Sequence, residues 1–195
     1  MEKNMIDFDL ILQNDKILLR PTIQDDIEIF SGLTHDKNMW YFFTSDLSDR
    51  LQLENWVKDS LIQKQKQIRL PFTIIDKSDN RIIGATSFGN ISYLDNRIEI
   101  GWTWISKDYQ GKRINDQVKY LMIGYCFDVL DFLRVEFKTD VLNVFARGAL
   151  KRINIIEEGV LRSHTLMTNN RRRDTIYYSV LKSEWNDTKI KNNWP

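Results

Sequence analysis

The chain has 195 residues, 42% of them hydrophobic, which is enough for a substantial core, so a small module held together by metal or disulfides is not expected. Its 28 basic and 27 acidic residues give a net charge of +1, and this near balance provides no overall field for nucleic acid. One cysteine, Cys126, excludes an internal disulfide framework and, with only two histidines, leaves little for a zinc site. We predict no metal and no nucleic-acid partner.

The N-terminal stretch MEKNMIDFDLILQND mixes acidic with apolar residues and has no small-residue cleavage site. No apolar run in the chain reaches membrane-spanning length. We therefore expect a cytoplasmic protein without membrane contact. No linker rich in Pro, Gly or Ser divides the chain and no solenoid repeat is found, so a single domain over residues 1–195 is predicted. Monomer and homodimer both stay open.

The first half of the chain alternates strand and helix patterns. KILLRP reads as a strand, and TIQDDIEIFSGL reads as a helix because Thr22 stands three residues before Asp25, which is a cap signal. The aromatic run MWYFF follows. Residues 49–67 carry apolar side chains at helical spacing and predict a second helix. PFTIID, RIIGATSFGNIS and RIEIGWTWIS then read as three strands joined by turns.

The second half begins with the polar loop KDYQGKRIND, residues 107–116, and a helix pattern over 114–130. LRVEFKTDV is the next strand, which makes a strand-helix-strand unit that should be parallel and right-handed. A helix over about 143–153 precedes EGVLRSHTLM and DTIYYSVLKS, two strand patterns that form a hairpin around TNNRRR. The sequence thus predicts a mixed α/β sheet of about seven strands with helices on both faces.

The loop at residues 107–116 joins a strand to a helix. Such a loop directs unpaired backbone N–H groups outward at the positive end of the helix dipole, and it lies at the carboxyl ends of the strands, where ligands of α/β sheets bind. An anion, such as a phosphate, is therefore the expected ligand of this loop. Alternatively, its cations Lys112 and Arg113 are simply solvated.

In its order of motifs the chain resembles the GNAT acyl-CoA-dependent N-acetyltransferases, in particular their ribosomal-protein N-acetyltransferase-like branch. The resemblance runs from Lys16 to about Trp185 and rests on LRP, EIGWTWIS, the polar loop, VEFKTDVLN and EEGVLRSH. It implies the GNAT fold, acetyl-CoA as cofactor and a primary amine as acceptor. The acceptor would be a protein or peptide N-terminus or a small-molecule amine.

The family's phosphate loop reads Gln or Arg, two residues, Gly, one residue, then Gly or Ala. Here those positions are Gln110, Arg113 and Asn115, and only Gln110 fits. Arg113 gives up glycine's conformational freedom but offers a guanidinium fork for phosphate oxygens. The resemblance implies that the pyrophosphate binds the loop, and the residues predicted to hold it are Gln110, Gly111, Lys112, Arg113, Ile114 and Asn115.

The family's fourth and fifth strands splay apart, and the pantetheine arm of the cofactor pairs with the open edge of the fourth. By resemblance this edge corresponds to Trp104 and Ile105, and unpaired edge groups of a sheet do suit an amide-bearing ligand. Asn143 matches the asparagine that contacts the arm. It is equally suited to be the N-cap of the following helix, and the two roles are compatible.

Glu99 matches the family's carboxylate and is the predicted general base, acting directly or through water. Because side chains alternate along a strand, it shares a face with Arg97 and Gly101, so the alternative is a cross-strand ion pair on a solvated face. The branch's general acid is a serine, which is Ala146 in this chain. Water would then protonate the leaving thiolate, or the protein is a catalytically weak acyl-CoA-binding sensor or interaction module.

Two segments are expected to wall the acceptor site. One is the aromatic run at residues 40–43, although at least two of its four side chains are expected to cap the core instead. The other is the terminal hairpin, whose three arginines at residues 171–173 would attract an acidic acceptor or simply be solvated charge.

Overall fold

Eight strands form one sheet in the order β1-β2-β3-β4-β5-β6-β8-β7 in a computed structural model, which describes residues 5–168 and 170–195. The strands are β1 (Leu12–Gln13), β2 (Ile17–Pro21), β3 (Leu70–Asp76), β4 (Arg81–Ser92), β5 (Arg97–Ile105), β6 (Arg134–Asp140), β7 (Ile156–Leu166) and β8 (Arg172–Leu181). The predicted mixed sheet is confirmed, with eight strands rather than about seven because a two-residue β1 pairs with β2. The first four residues of the N-terminal stretch and Asn169 of the predicted turn lie outside the described residues.

The α-helices are α1 (Asp26–Leu33), α2 (Arg50–Gln65), α3 (Ile114–Gly124), α4 (Val144–Arg152) and α5 (Trp185–Asn192). The last of these has no counterpart among the predicted elements. Its Trp185 packs on Tyr120 of α3 and on Phe127, which explains why a helix of low average hydrophobicity holds its place. No helix in the described part of the chain is both long and apolar enough to cross a bilayer.

Helix α1 begins later than the sequence indicates. Its N-cap is Asp25 rather than Thr22, whose backbone N–H donates to Pro71 of β3. Asp26 fixes where the helix begins, because its carboxylate accepts hydrogen bonds from Arg20, from the Thr73 hydroxyl and from a backbone amide. The predicted cap is therefore wrong, since a buried carboxylate at the helix start provides stronger, charge-assisted bonds.

The predicted helix over residues 114–130 consists of two parts. After α3 the chain continues as a π-helical turn, Tyr125–Val129, which closes with a bond from the Leu130 N–H to the Tyr125 carbonyl of 3.1 Å. Cys126 lies fully buried in this turn, as expected for a core residue, and burial raises the pKa of its thiol.

Two hydrophobic clusters lie on the two faces of the sheet. The larger joins the sheet to α3 and includes Ile98, Ile100, Val118 and Met122. The smaller joins it to α1, α2 and the aromatic run, and it includes Trp104 of β5. Strand β5 therefore contributes side chains to both clusters, one on each face of the sheet.

The unit β5-α3-β6 has the predicted parallel strands, but the two strands pair only at their beginnings. The register joins Arg97 to Arg134, Ile98 to Val135 and Glu99 to Glu136, and ends there. Beyond it β5 continues along β4, while β6 continues along β8 as far as Asp140. A gap thus separates β5 from β6 beyond Glu99.

Asp26→Asn should destabilise the protein by about 2 kcal/mol, because Arg20 and Thr73 lose a charged, buried partner. Burial raises the pKa of the Asp26 carboxyl, but its bonds to Arg20, Thr73 and the Ile23 amide outweigh burial and bring the pKa below its ordinary value. Its stabilising contribution is therefore complete above about pH 4 and is lost as the pH falls through the lowered pKa.

Urea unfolding at neutral and at acid pH measures both effects. Asp25→Asn is the matched control, because Asp25 is exposed and makes no side-chain cap bond, so its effect should stay within about 0.5 kcal/mol. Equal stability losses in the two variants at neutral pH would contradict the role given to Asp26.

Candidate active site

A bulge in β5 accounts for the gap. Gly101 stands opposite Ser87 and Trp104 opposite Ala85, so Trp102 and Thr103 together face the single residue Thr86. Trp102 has a φ of 52°, which is rare for a bulky residue and adds twist to the strand. The bulge bends β5 away from β6 just after the last paired residue.

The open edge of β5 belongs to Ile105 rather than to Trp104. The Ser106 N–H donates to the Ile83 carbonyl of β4 at 2.8 Å, and backbone groups of an antiparallel strand alternate in direction, so Trp104 also directs its polar groups to β4. The backbone of Ile105 points the other way, toward the gap. Of the two residues predicted to present the edge, Ile105 has the required direction.

The loop after β5 presents a run of unpaired amides. No described residue accepts a hydrogen bond from the backbone N–H groups of residues 111–115, whereas that of Gln110 donates to the Lys107 carbonyl. Gly111 and Arg113 both have positive φ, 77° and 60°. Successive amides in this kind of turn form an anion-binding concavity at the N-terminus of α3.

The side chains of the loop are partly engaged with the protein. Gln110 donates its amide to the Ile105 carbonyl, and the Lys112 ammonium lies 4.7 Å from the centre of the Tyr109 ring. Arg113 donates from Nε to buried Asp116 at 2.9 Å, and Arg152 binds the other oxygen of the same carboxylate. Arg113 is thus held beside the five amides with its side chain still 64% exposed.

The cofactor candidates at the helix N-termini are Ile114, Asn115 and Asn143. Ile114 packs against the core, and the Oδ1 atom of Asn115 is buried without a hydrogen-bond partner. Asn143 is the N-cap of α4, since its Oδ1 accepts from the Ala146 N–H at 3.1 Å. The capping role is confirmed and leaves the Asn143 side-chain N–H₂ as a donor for a ligand.

Glu99 lies at the point where the gap begins. Only 4% of the residue is exposed, so the alternative of a solvated face is wrong, although a cross-strand ion pair is present. Its Oε2 accepts from the Asn90 amide and pairs with Lys138 of β6 at 2.8 Å, while Arg97 pairs with Asp95 and Glu136 instead. A Cβ at position 101 would lie 2.9 Å from Glu99 Oε1, so any larger residue there would displace the carboxylate.

Arg69 is a residue of this site that the sequence reasoning missed. Its guanidinium lies between the rings of Trp56 and Trp102 and donates from Nε to Ser87, while its Nη2 is buried without a partner. Burial lowers its pKa to about 9, and the nearby Glu99 carboxylate opposes that shift. An arginine directly before a buried strand, in QIRLPF, was the available signal.

The aromatic run and the hairpin meet, as the resemblance implies. The Arg171 guanidinium lies 5.4 Å from the centre of the Tyr41 ring and forms an ion pair with fully buried Asp140. Arg173 is buried and bonds to Thr175, so these two arginines are not solvated charge. Trp40 is buried in the core, as expected for part of the run, whereas Tyr41 is half-exposed.

Two cavities lie on the α1 and α2 side of the sheet. The smaller, of about 20 Å³, is lined by Phe43, Thr44, Ser45, Leu47, Trp56, Trp102 and Trp104. The larger, of about 620 Å³, is formed by β2, the β3–β4 turn and α1, away from all the predicted site residues. In the described residues no group of three His, Cys, Asp or Glu side chains is arranged to hold a metal ion.

The splayed strands, the buried Glu99 carboxylate and the amide-lined loop follow one another along β5 and into α3. The acetyltransferase (GNAT) domain model matches residues 16–155, and the chain belongs to this family. The predicted family is therefore confirmed.

Individual relatives agree with this assignment. A Bacillus subtilis (strain 168) protein whose name proposes a ribosomal N-acetyltransferase, YdaF, is 35% identical over 111 residues, which span 57% of this chain and 60% of that protein. The uncharacterised N-acetyltransferase p20 of Bacillus licheniformis is 24% identical over 89% of this chain and 97% of its own length. A crystal structure described as an acetyltransferase from T. thermophilus superposes with a TM-score of 0.85 and 26% identity, covering 97% of this chain and 98% of that one.

Arg113→Gly should weaken coenzyme A binding by about 1 kcal/mol, because a phosphate would lose a charged donor. The value is at the low end for such a bond, since the side chain is largely exposed and glycine removes the cost of a positive φ. Added salt should weaken binding by the parent more than by the variant.

Calorimetric titration at two ionic strengths measures both effects. Arg113→Asn is the matched control, because asparagine tolerates positive φ and also lacks the guanidinium, so it should weaken binding similarly. Tighter binding by the glycine variant would mean that Arg113 obstructs the phosphate.

Proposed function

We propose that this protein, as a single domain, is an acetyl-CoA-dependent N-acetyltransferase that acts on a primary amine. The observation that carries the proposal is the continuity between three features: the gap beyond Glu99, the edge of β5 at Ile105, whose N–H points into the gap while its carbonyl is bonded by Gln110, and the five unpaired amides of residues 111–115. A ligand whose amide-bearing arm leads to a pyrophosphate matches the order of these donors and acceptors along the gap and the loop.

The chain's own groups fit such a cofactor. Ile105 offers its backbone N–H to the pantetheine arm, since Gln110 already binds its carbonyl, and the side-chain N–H₂ of Asn143 offers a further donor. The loop amides with Arg113 and Lys112 bind the pyrophosphate, while Gln110, Gly111, Ile114 and Asn115 hold the loop in position. Acetyl-CoA, when bound, supplies the activated acyl group as a thioester.

The protein's part in the reaction is to position the acceptor and to remove its proton. Glu99 is the group that accepts the proton, directly or through water, because it is the carboxylate at the mouth of the gap. Lys138, Arg69 and Arg173 add positive charge around it, which disfavours an ammonium ion and favours the neutral, nucleophilic form of the acceptor amine.

The acceptor is a protein or peptide N-terminus or a small-molecule amine. Tyr41 and Arg171 form one wall of the site. They present an aromatic surface and a cation to the acceptor. The name of the B. subtilis relative, which refers to the ribosome, supports protein N-termini as the first acceptors to test. Ribosomal proteins and acetyl-CoA meet in the cytoplasm, so we propose that the enzyme acts there.

Coenzyme A and acetyl-CoA should bind with measurable heat and raise the melting temperature, because a ligand that binds only the folded state stabilises it. Calorimetry and thermal unfolding at high ligand concentration check this. The absence of both heat and stabilisation would refute the proposal. The same result would also refute a catalytically inactive acyl-CoA sensor. Thiol release against a panel of amines and N-terminal peptides then separates enzyme from sensor.

Glu99→Gln should lower turnover by about 100-fold at neutral pH, while acetyl-CoA affinity stays within about twofold, because the carboxylate removes a proton and does not hold the cofactor. The loss should shrink as the pH rises, since more of the acceptor amine is then already neutral. Initial rates of thiol release across pH measure this.

Glu136→Gln is the matched control for that experiment. Glu136 stands opposite Glu99 in the sheet and also forms ion pairs, but with Arg97 and Arg134 at the strand beginnings. Its replacement should leave turnover nearly unchanged. If both variants keep the parent's rate, Glu99 has no part in proton removal.

A further inference from the structure

Lys119 of α3 is a buried lysine without a carboxylate partner. Only 4% of the residue is exposed, and no described carboxylate lies within ion-pair distance of it. The nearest acid along its own helix, Asp116, is already bound by Arg113 and Arg152. A buried ammonium without a counter-charge is costly, so its retention in the fold calls for a ligand or a reaction that uses it.

The lysine bridges the two strands where they no longer pair. Its Nζ donates to the Thr103 hydroxyl of β5 at 3.0 Å and lies 5.5 Å from the centre of the Phe137 ring of β6. Both residues come after Glu99 and Glu136, the last paired positions. The amine therefore lies in the gap that the proposed function gives to the pantetheine arm.

Lys119 and Glu99 reach the gap from opposite faces of the sheet. Ile98 and Ile100 pack in the cluster that contains Val118 and Met122 of α3, so Glu99, between them, projects to the other face. The bulge returns Thr103 to the α3 face, where its hydroxyl meets that of Thr86, which in turn contacts the Met122 sulfur. The gap thus has a carboxylate on the acceptor side and an amine on the helix side.

The protonation of Lys119 suits transfer to a thiolate. Burial lowers the pKa of its ammonium to about 7. The groups that face it are a hydroxyl from β5 and an aromatic ring from β6, and neither is charged. Its ammonium form is therefore held weakly near neutral pH and is able to give up a proton to a thiolate, whose conjugate thiol has an ordinary pKa of about 8.5.

We propose that Lys119 is the proton donor to the departing thiolate of coenzyme A, an assignment that rests on the proposed acetyl transfer. The acceptor nitrogen forms a bond to the acetyl carbonyl carbon and loses a proton to Glu99. The carbon–sulfur bond breaks, its electron pair goes to sulfur, and sulfur takes the proton of the Lys119 ammonium. After the thiol leaves, the neutral lysine regains a proton from solvent, and Glu99 releases one.

As a general acid, Lys119 would take over the function of the serine that the resembled branch has at the position of Ala146. The side chain of Ala146 has no proton to donate, and α4 is well separated in sequence from α3. Lys119 reaches the gap from another element, which is why no spacing motif reveals it. It is also chemically different from a hydroxyl, because its donor form is a cation that attracts the thiolate before the proton moves.

NMR of isotope-labelled lysine side chains tests whether the amine senses the sulfur. The Lys119 signal is identified by its loss in Lys119→Met and is titrated in the free protein, with coenzyme A, and with desulfo-coenzyme A, which lacks only the sulfur. The thiolate should raise the titration midpoint of Lys119 by about one pH unit. Desulfo-coenzyme A should not raise it.

The two ligands separate this assignment from the proposed function. If coenzyme A and desulfo-coenzyme A both bind and give equal titration midpoints for Lys119, the assignment of Lys119 as proton donor is overturned and the proposed function is not. Failure of both to bind in calorimetry overturns the proposed function and the assignment with it.

Kinetics give the second test. Lys119→Met should lower kcat by about 10- to 100-fold with little change in the KM for acetyl-CoA, and it should abolish the fall in kcat at alkaline pH that comes from loss of the lysine proton. Lys119→Arg keeps the charge but does not release a proton near neutral pH, so it should not restore turnover. Exposed Lys58→Met on α2 is the control and should match the parent.

Thermal unfolding shows that the variants are folded before their rates are compared. Methionine matches lysine in length and removes a buried charge, so Lys119→Met should be at least as stable as the parent. Full turnover in Lys119→Met with the parent's pH profile, or full rescue by Lys119→Arg, would overturn proton donation by Lys119.

Discussion

The early end of pairing between β5 and β6 is the constraint on which the site depends. Two parallel strands that stayed paired would leave no edge at Ile105, no opening beside Glu99 and no space between Thr103 and Phe137. The bulge at Trp102 enforces the separation, because two residues of β5 must fit opposite one residue of β4. The cost is a tryptophan with positive φ, which is typical of strain kept at functional sites.

Charge is buried around this gap in a way that stability alone does not favour. Glu99 is buried in an ion pair with the partly exposed Lys138, Arg69 lies between two tryptophan rings with an unpaired Nη2, and Lys119 has no acid beside it. Replacing such groups by well-packed apolar residues is often neutral or stabilising. Their clustering along one gap is therefore better explained by chemistry performed there than by folding.

The loop end of the proposed site depends on the backbone rather than on side chains. Positive φ at Gly111 and Arg113 turns consecutive amides outward at the start of α3. Because any residue supplies an N–H group, the arrangement survives the loss of the family's glycine at position 113. Asp116 contributes by holding Arg113 and Arg152 together at the same helix end.

Apart from β1 and α5, the sequence by itself determined the order of the strands and helices, and it determined the parallel β5-α3-β6 unit and the family, because local periodicity and short motifs carry that information. It also indicated the polar loop and Glu99 as candidates for the proposed site. The tertiary structure alone decided that Trp104 directs its backbone to β4, that Glu99 is buried against Lys138, and that Arg69 and Lys119 reach the gap. These depend on bulge register and on contacts between residues distant in the chain. Lys119 shares its helix face with Ile123 and Cys126, but only the packing of α3 on two separated strands makes that lysine part of the site.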